Sequence, residues 1–407
     1  MSDIYMHGYR FRIYPTEKQK ELINRLIDLY RFAYNWGIAR QKEQYRKRVN
    51  GETKYGILSY YDFCREFTIF RNLPENAWMK ELPSSTAKLA LRDVAKSFKD
   101  FFSRKFGYPK FKSKKRSPKM FKTRNDRFYI DGDGVRIEGL YYELGKSDQT
   151  ETINLHHDFG YRKSDKTKYI QPSISIDNLG EYWVSFSIEE PVIHLNKPKT
   201  EAIGIDVGIR QTMVLSTGEV FIRPKNKIKR LDKRLRHAWH HMTRDIKRRR
   251  QEAIRTKTKY EDIPVSNRAK KRENKVKKLH KKITNVKRDF YHNTIKSIVT
   301  RNPEAIVIET LHSRDIERQH KGRPYISHEI HHADFYTMHK IIEDKCNTYG
   351  IHLVKATDEY PSSQICSNCG YQQDIGRKTL YRCPICGMEL DRDINAALNL
   401  RNLVYVA

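Results

Sequence analysis

The sequence predicts two different cores: a small β-barrel interrupted by helices, followed by an α/β domain that carries a metal-binding element. Three observations support this. Short alternating strand patterns recur between residues 110 and 190, whereas 202–206 and 305–309 are strongly apolar, strand-like runs separated by long helical segments. Two Cys-x-x-Cys pairs lie near the C-terminus. The fold class is therefore α/β plus β-barrel.

The N-terminal pattern begins with a strand. Residues 9–14 alternate apolar and polar side chains, which predicts a half-buried strand with Arg10 and Arg12 on its open face. Thr16 and Gln19 then form a capping-box pattern that opens a helix, and helical periodicity continues to Phe106.

Short strands are predicted in the next region, and together with the first strand they would close a small antiparallel barrel across the helical insertion. These strands are 128–130, 135–137, 153–156, 174–176 and 182–188. Residues 191–200 are predicted to be a linker.

Two long basic helices are predicted between the apolar runs of the α/β domain. Each has an apolar stripe, carried by Ile228, Leu231 and Leu235 in the first and by Val276 and Leu279 in the second. The less periodic stretch 255–267 separates them, so a helical hairpin docked on a sheet is expected.

The composition favours a polyanionic partner. The 407 residues include 80 basic and 49 acidic side chains, a formal net charge of +31, so nucleic acid is the leading candidate. A membrane surface is the alternative, but no segment approaches the roughly 20 apolar residues of a spanning helix. The N-terminal residues have no secretory signal pattern, so a cytoplasmic location is expected.

Candidate nucleic-acid contacts are basic side chains interleaved with aromatics, or carried by helices with apolar stripes. A solvated loop is the alternative for the clusters between 110 and 124. The candidates are Arg10, Arg12, Lys110, Lys112, Lys114, Lys115, Arg116, Lys122, Arg124, Lys247, Arg248, Lys271 and Arg272.

Three acidic residues are candidate metal ligands. Asp206 and Glu309 each end an apolar run, and Asp393 opens a helix predicted over 394–403. A solvated turn carboxylate, or an ordinary helix N-cap at Asp393, is the alternative for each residue taken alone. Carboxylates without neighbouring histidines suit Mg²⁺ or Mn²⁺, and a pair of such ions can promote phosphodiester hydrolysis. Gly208 is expected to let a ligand approach closely.

The four paired cysteines suit a closed tetrahedral Zn²⁺ site, which holds structure and performs no chemistry. Gly370 and Gly387 follow the two pairs, where they are expected to prevent a Cβ clash. The zinc ligands would be Cys366, Cys369, Cys383 and Cys386. His328, His331 and His332 are expected to precede a helix starting near Asp334, where they contact phosphate or cap the helix, so no metal is assigned to them.

Several of these motifs resemble those of one family. Ile-Gly-Ile-Asp206-Val-Gly, Ile-Val-Ile-Glu309, and the cysteine pairs followed by Asp391-Arg-Asp393-Ile-Asn-Ala-Ala resemble the split RuvC motifs and inserted zinc ribbon of TnpB, a family of transposon-encoded RNA-guided nucleases related to compact type V CRISPR effectors. Further similar landmarks span nearly the whole chain. They are Phe11-Arg-Ile-Tyr-Pro15-Thr-x-x-Gln19, Tyr34-Asn-Trp36, Gly107-Tyr-Pro-Lys-Phe111-Lys and Tyr360-Pro-Ser-Ser-Gln-Ile-Cys366.

The resemblance implies an RNase H-like RuvC nuclease domain with an inserted zinc ribbon, preceded by an oligonucleotide-binding-like wedge barrel that carries a helical recognition insertion. The implied segments are 1–15 and 107–190 for the wedge barrel, 16–106 for the recognition domain, 191–200 for a linker, 201–360 and 388–407 for the RuvC domain, and 361–387 for the zinc ribbon.

The resemblance also implies an activity and its partners. Asp206, Glu309 and Asp393 would hold Mg²⁺ or Mn²⁺ for cleavage of double-stranded DNA, with Asp391 a less certain member of the set. A guide RNA from the transposon end and a short motif beside the DNA target would direct cleavage by a monomer in a prokaryotic cytoplasm, near the nucleoid. A compact type V CRISPR effector and a nuclease-inactive RNA-guided repressor are alternatives, and the three intact acids disfavour the second. A strand-transfer transposase is disfavoured by the ribbon.

Overall fold

The computed structural model describes residues 4–131, 134–137, 140–143, 168–193, 198–310, 324–357, 360–376 and 378–405. The chain forms two compact units. One is Met6–Glu190, and the other is Pro191–Ala407 together with Met1–Tyr5. The strand predicted at 153–156 lies outside the described residues.

The N-terminal unit combines three helices with two antiparallel sheets. The helices are α1 (Glu17–Val49), α2 (Tyr60–Asn72) and α3 (Ser84–Phe102). The strands are β1 (Ile4–Ile13), β2 (Lys119–Lys122), β3 (Phe128–Asp131), β4 (Gly134–Ile137), β5 (Leu140–Glu143), β6 (Ile170–Ile176) and β7 (Tyr182–Pro191). One sheet has the order β1-β7-β6-β2 and the other β3-β4-β5.

The helical insertion forms as the sequence predicts. At the start of α1 the Gln19 side chain accepts a hydrogen bond from the Thr16 N–H at 2.8 Å, and the Thr16 hydroxyl accepts one from the Gln19 N–H at 3.4 Å. Tyr30 and Phe98, from α1 and α3, are among the largest fully buried side chains. The insertion ends earlier than predicted, because α3 stops at Phe102.

The strands of this unit differ from the prediction in two respects. β1 does join the later strands, next to β7, and its exposed and half-buried residues alternate. However, the described strands form two separate sheets. β2 also occupies a stretch interpreted from the sequence as a basic surface: Phe121 is fully buried there, while Lys119 is exposed.

The C-terminal unit contains a five-stranded mixed sheet, a small hairpin and five helices among its described residues. The strands are β8 (Ile203–Val207), β9 (Met213–Leu215), β10 (Val220–Phe221), β11 (Ala305–Ile308), β12 (His352–Lys355), β13 (Leu380–Arg382) and β14 (Glu389–Asp391). The helices are α4 (Lys225–Arg255), α5 (Asn267–Val299), α6 (Pro324–Ala333), α7 (Phe335–Tyr349) and α8 (Arg392–Asn402). Short 3₁₀ turns in the two units span Pro74–Met79, Asn125–Arg127, Tyr260–Asp262 and Leu403–Tyr405.

The order of the large sheet is β10-β9-β8-β11-β12. β8, β11 and β12 are parallel, whereas β9 is antiparallel to both of its neighbours. The predicted hairpin of basic helices is confirmed. Helices α4 and α5 pack through the expected stripes, which include Leu231 and Leu279. The expected break lies between them, since α4 ends at Arg255 and α5 begins at Asn267. No helix among the residues described above is long and apolar enough to cross a membrane.

Candidate functional site

Two parallel strands bring the first pair of acidic residues together. β11 pairs with β8 so that Ile308 lies opposite Ile205. The next residue on each strand is an acid, Glu309 and Asp206, so the two carboxyl groups leave the same edge of the sheet. Glu309 follows the last residue of β11, whereas Asp206 is the second-last residue of β8, and both side chains are only partly exposed.

Helix α8 brings the third acid to this edge. Its N-cap is Asp391, whose Oδ1 accepts hydrogen bonds from the N–H groups of Asp393 at 2.9 Å and Ile394 at 3.3 Å. The expectation that the helix begins at residue 394 was therefore wrong. The residue that caps the helix is Asp391, and not Asp393 as the alternative interpretation had it. The Asp393 carboxylate, in the first turn, is left free of the capping role.

Glycine in β8 permits the close approach of this helix. A Cβ atom at Gly204 would lie 1.9 Å from the carbonyl oxygen of Ala397, in the middle of α8. The backbone of the helix thus rests directly on the strand that carries Asp206. Sequence analysis did not identify this role, although Gly204 lies within the motif that contains Asp206.

The three carboxyl groups influence one another strongly. Burial, followed by the charges of Glu309 and Asp393, raises the pKa of Asp206 well above its ordinary value. Burial also raises the pKa of Glu309, although a hydrogen bond from the Ser362 hydroxyl, 2.6 Å from Oε1, opposes that rise. Arg392 forms an ion pair with Asp393 at 3.0 Å and partly offsets the negative charge.

The three acids do not close around one point. In the described part of the chain, sets of three or more ligand atoms within 4.8 Å of one another occur at two other places, and this edge is not one of them. Ser362 and Arg392 hold Glu309 and Asp393 separately, and like charges repel. The three carboxylates are therefore brought to one region without forming a closed set of ligand atoms.

The structure does not support the expected role of Gly208. A Cβ atom there would lie 2.7 Å from the carbonyl oxygen of Gln211. Glycine is thus favoured at this position because a side chain would clash within the turn that follows β8. The turn alone accounts for the glycine, so it is not evidence that a ligand approaches here.

The four paired cysteines come together as predicted, and their arrangement fits a structural Zn²⁺ ion. The Sγ atoms of Cys366 and Cys386 are 3.6 Å apart, and those of Cys369 and Cys383 are 3.5 Å apart. Zn–S bonds of about 2.3 Å in a tetrahedron place sulfur atoms about 3.8 Å apart, close to both distances.

The glycines after the cysteine pairs serve a different purpose from the one predicted. Gly370 and Gly387 have φ angles of 77° and 74°. An added Cβ would meet nothing within 4 Å at either position, so there is no clash to avoid. Glycine suits these positions because it adopts positive φ readily, and each N–H can then donate to the carbonyl oxygen of the first cysteine of its pair.

Two buried asparagines tie the zinc site to the acidic edge. Asn395 accepts a hydrogen bond from the Ser367 N–H at 2.9 Å and donates one to the Ile365 carbonyl at 2.6 Å. Asn399 donates to the carbonyl groups of Ser362, at 2.8 Å, and of Ile365. Ser362 and Asn395 stand in motifs that the sequence analysis quoted, and Asn399 lies two residues beyond one of them, but the roles of all three depend on contacts that the motifs alone do not reveal.

The predicted nucleic-acid contacts fall into two groups. The first group makes close contacts within the chain. Arg12 lies 3.3 Å from Glu181, Lys122 2.8 Å from Asp93, Arg272 2.7 Å from Asp245, and Arg124 Nε 2.7 Å from Asp126, while the Lys112 ammonium sits 3.9 Å from the ring centre of Tyr34. Burial lowers the pKa of Lys112.

The second group is exposed. It comprises Arg10, Lys110, Lys114, Lys115, Arg116, Lys247, Arg248 and Lys271. Arg10 lies over the ring of Trp183, with its guanidinium carbon 4.6 Å from the ring centre, and Lys114 is 3.7 Å from Asp28. These side chains can reach a polyanion without losing a buried contact.

Three family models match separate parts of the chain. Residues 6–49 match the OrfB-type "Helix-turn-helix domain", 185–319 match the OrfB model described as "Probable transposase", and 335–400 match "Cas12f1-like, TNB domain". The three matches together cover more than half of the chain.

Whole-chain comparisons agree with these matches. The chain is 28% identical over 403 residues to a "Putative RNA-guided DNA endonuclease" of Streptomyces pristinaespiralis, covering 97% of this chain and 88% of that protein. It is 22% identical over 412 residues to "TnpB-like protein L79" of Acanthamoeba polyphaga mimivirus, covering 98% and 73%. Among solved structures, the Cas12f1–sgRNA–target DNA complex matches with a TM-score of 0.56 and 14% identity, covering 98% and 99% of the two chains.

The fold is therefore that of a compact Cas12-type effector, and the motifs are those of the transposon-encoded OrfB proteins. The chain belongs to the TnpB family.

Proposed function

We propose that this protein is an RNA-guided endonuclease that cleaves double-stranded DNA at a metal site formed by Asp206, Glu309 and Asp393. The observation that carries the proposal is that these three acids, from two parallel strands and one helix, lie near one another at the carboxyl ends of the strands and interact through their charges. A relative 28% identical over nearly the full chain is named as an RNA-guided DNA endonuclease, which supports the same activity.

The sheet order supports an RNase H-like RuvC domain. Numbered from β8, the strands lie in the order 3-2-1-4-5, and only the second is antiparallel to the rest. A mixed sheet with acids at the carboxyl ends of two parallel strands suits the RNase H-like domain that the resemblance implies. We assign the C-terminal unit to this domain with its zinc ribbon, and the N-terminal unit to the wedge and recognition domains.

The donor set suits Mg²⁺ or Mn²⁺. All three candidate ligands offer carboxylate oxygens, which hard divalent cations prefer. Burial and mutual repulsion raise the pKa of Asp206 and of Glu309, so a bound cation would relieve an unfavourable concentration of charge. When bound, such ions activate water and stabilise the leaving oxygen of a phosphodiester.

Neighbouring residues prepare the acids for this role. The Ser362 hydroxyl holds one oxygen of Glu309 and so fixes the direction of the carboxylate. Asp391 accepts the hydrogen bond that caps α8, so the Asp393 carboxylate is not needed for capping. Arg392 supplies the positive charge beside Asp393, where it can also face a phosphate group.

A basic groove on the helical hairpin supports nucleic-acid binding. It has a volume of about 430 Å³ and lies between α4 and α5. Its lining contains no acidic side chain: it consists of Arg234, Lys271, Asn274, Lys275, Lys278, Leu279 and Lys282. Side chains of this kind track a phosphate backbone and carry no sequence preference, so the sequence of the target would be read by base pairing to the guide RNA.

The direct test begins with the RNA that copurifies when the protein is expressed with its flanking genomic DNA. The complex is then incubated with Mg²⁺ and a plasmid library that carries the matching target. We expect cleavage beside a short constant motif, and we expect Asp206→Ala to abolish it while RNA and DNA binding persist. Bound RNA without cleavage by the unaltered chain would instead favour the repressor, and the absence of bound RNA would contradict both.

A matched pair of variants tests the surface. Lys271 is exposed, whereas the adjacent Arg272 is held by Asp245. We expect Lys271→Gln to weaken nucleic-acid binding and to reduce its salt dependence by roughly one phosphate contact. We expect Arg272→Gln to lower the stability of the hairpin more than it changes that salt dependence.

A further inference from the structure

A second set of possible metal ligands lies on the helices of the C-terminal unit, separate from the acids and from the ribbon. His328 and His332 precede the helix that begins after Asp334, as expected, and they also lie within a helix of their own, α6, four residues apart. That spacing places both side chains on one face of the helix. Asp232 of α4 approaches the same face.

The three side chains converge closely. The Asp232 Oδ2 atom is 2.8 Å from the Nε2 atom of His332 and 3.7 Å from that of His328. The two Nε2 atoms are 3.3 Å apart. A tetrahedral ion with bonds of about 2.0–2.1 Å holds its ligand atoms about 3.3 Å from one another. The observed distances lie around that value.

The buried Asp232 carboxylate interacts mainly with the two histidines. Its side chain is only 10% exposed, and a buried carboxylate needs a cation or hydrogen-bond donors. The acids nearby are already paired: Glu329 of α6 binds Arg223 at 2.5 Å, and Asp334, just after α6, lies 3.4 Å from Lys287. Among the residues that the structure describes, the ion-pair partners found for Asp232 are the two imidazoles.

We propose that Asp232, His328 and His332 form a binding site for a divalent transition-metal ion such as Zn²⁺, which would clamp α4 to α6. Two imidazoles and a carboxylate are a common donor set for such ions. The His328 side chain is 52% exposed, so solvent can reach the fourth coordination position and supply a water ligand. The bound ion would hold the basic hairpin of α4 and α5 against α6.

The surroundings also set the strength of the site. The Nδ1 atom of His332 is buried, with no hydrogen-bond partner among the residues in the structure. Histidine ligands usually donate this second nitrogen to a supporting group, and loss of such support lowers metal affinity roughly 10–100-fold. The site should therefore bind more weakly than the ribbon.

The chain contains a natural control pair. His237 and His241 lie four residues apart on α4, with Nε2 atoms 3.4 Å from each other, much as in α6. In the described part of the chain, no third histidine, cysteine or acidic ligand completes this pair. His237 and His241, which have no carboxylate partner of this kind among the described residues, can therefore be compared with His328 and His332, which face Asp232.

The test titrates Co²⁺ into the full-length protein, its ribbon loaded with zinc, in excess Mg²⁺ that occupies carboxylate sites. Visible absorption reports tetrahedral cobalt, and the lack of a sulfur charge-transfer band shows that the ribbon is not involved. We expect one further equivalent to bind, with at least a tenfold loss of affinity in Asp232→Asn and His332→Gln and no loss in His241→Gln.

A second substitution protects the test against misfolding. If near-ultraviolet circular dichroism shows that His332→Gln is not folded, the half-exposed His328→Gln takes its place, with the same loss expected. No cobalt uptake by the unaltered protein would overturn the proposal, as would equal uptake by the Asp232→Asn variant. Either result would leave Asp232 as a hydrogen-bonded partner of the helix.

Discussion

The zinc ribbon and the acidic edge lie side by side in sequence and in space, yet they are built in opposite ways. In the ribbon, four sulfur atoms converge, with two pairs at 3.5 and 3.6 Å, so together they could hold a single ion with four protein ligands. At the edge, three carboxylates remain apart and partly exposed, and Arg392 offsets only part of their mutual repulsion. A closed site stabilises structure, whereas an open one has coordination positions left for water and substrate.

The largest expected effect separates the two sites directly. Cys383→Ser should remove zinc and cleavage together, because structural zinc supplies about 10–16 kcal/mol in zinc-finger peptides and the ribbon supports α8. Asp393→Asn should remove cleavage by more than the roughly 10–100-fold typical of supporting residues, while zinc content stays unchanged. Elemental analysis and plasmid cleavage measure both effects. Zinc loss in Asp393→Asn would contradict the separation of the two sites.

The next effect tests whether α8 positions the edge. In Gly204→Ala the added Cβ would lie 1.9 Å from a backbone carbonyl, so the helix must shift. A shift of that size at a catalytic group can cost about a hundredfold in rate, and overpacking costs roughly 1–3 kcal/mol in the free energy of unfolding. Cleavage assays and denaturant unfolding test this. Gly107→Ala, where an added Cβ would meet nothing within 4 Å, should change stability by less than about 0.5 kcal/mol.

A smaller effect concerns the hydroxyl that orients Glu309. Ser362→Ala removes a 2.6 Å hydrogen bond to the carboxylate. Because a bond to a charged group is worth about 1.5 kcal/mol or more, cleavage should fall about tenfold, with zinc retained. Single-turnover rates at saturating Mg²⁺ measure the loss. Ser297→Ala, on α5, removes only a bond to a backbone carbonyl and should cleave normally; an equal loss in both variants would remove Ser362 from the site.

The smallest effect concerns the metal requirement. Arg392 competes with a cation for Asp393 across a 3.0 Å ion pair that is partly exposed. Such pairs contribute about 0.2–1 kcal/mol, so Arg392→Gln should lower the Mg²⁺ concentration for half-maximal cleavage by a factor of about 1.4 to 5. A Mg²⁺ titration of the cleavage rate measures this, and an increased requirement would show that Arg392 assists the metal instead.

Much of both sites could be predicted from the sequence because their ligands fall in short patterns. The cysteine pairs and the acids after apolar runs carry their chemistry in residue type and spacing. Ser362 and Gly204 could not be assigned, because their importance lies in what the fold brings next to them. Asp391 and Asp393 illustrate the limit: either could cap the helix, and only the backbone geometry decides which does.

The fold was predicted least well where local patterns are ambiguous. The sequence of β2 was interpreted as a basic surface segment. Its strand pairing with β6 joins residues about fifty positions apart, which no local pattern reveals. Helix α6 was missed because its histidines and short length give little helical signal, and its burial depends on α4 and α5. In contrast, the long stripes of the helical hairpin are strong local signals, and they were predicted correctly.

The pairing of β1 with β7 has a consequence for how the chain matures during synthesis. The Tyr9 hydroxyl donates a 2.6 Å hydrogen bond to Glu190, 181 residues further along. At translation rates of about 5–20 residues per second, the first strand waits roughly ten seconds or more for its neighbour. Meanwhile the local helices α1 to α3 can form, since local contacts form faster than distant ones. An exposed strand that waits this long is a target for chaperones, and its alternation with polar residues, including Arg10 and Arg12, keeps it from pairing with other chains.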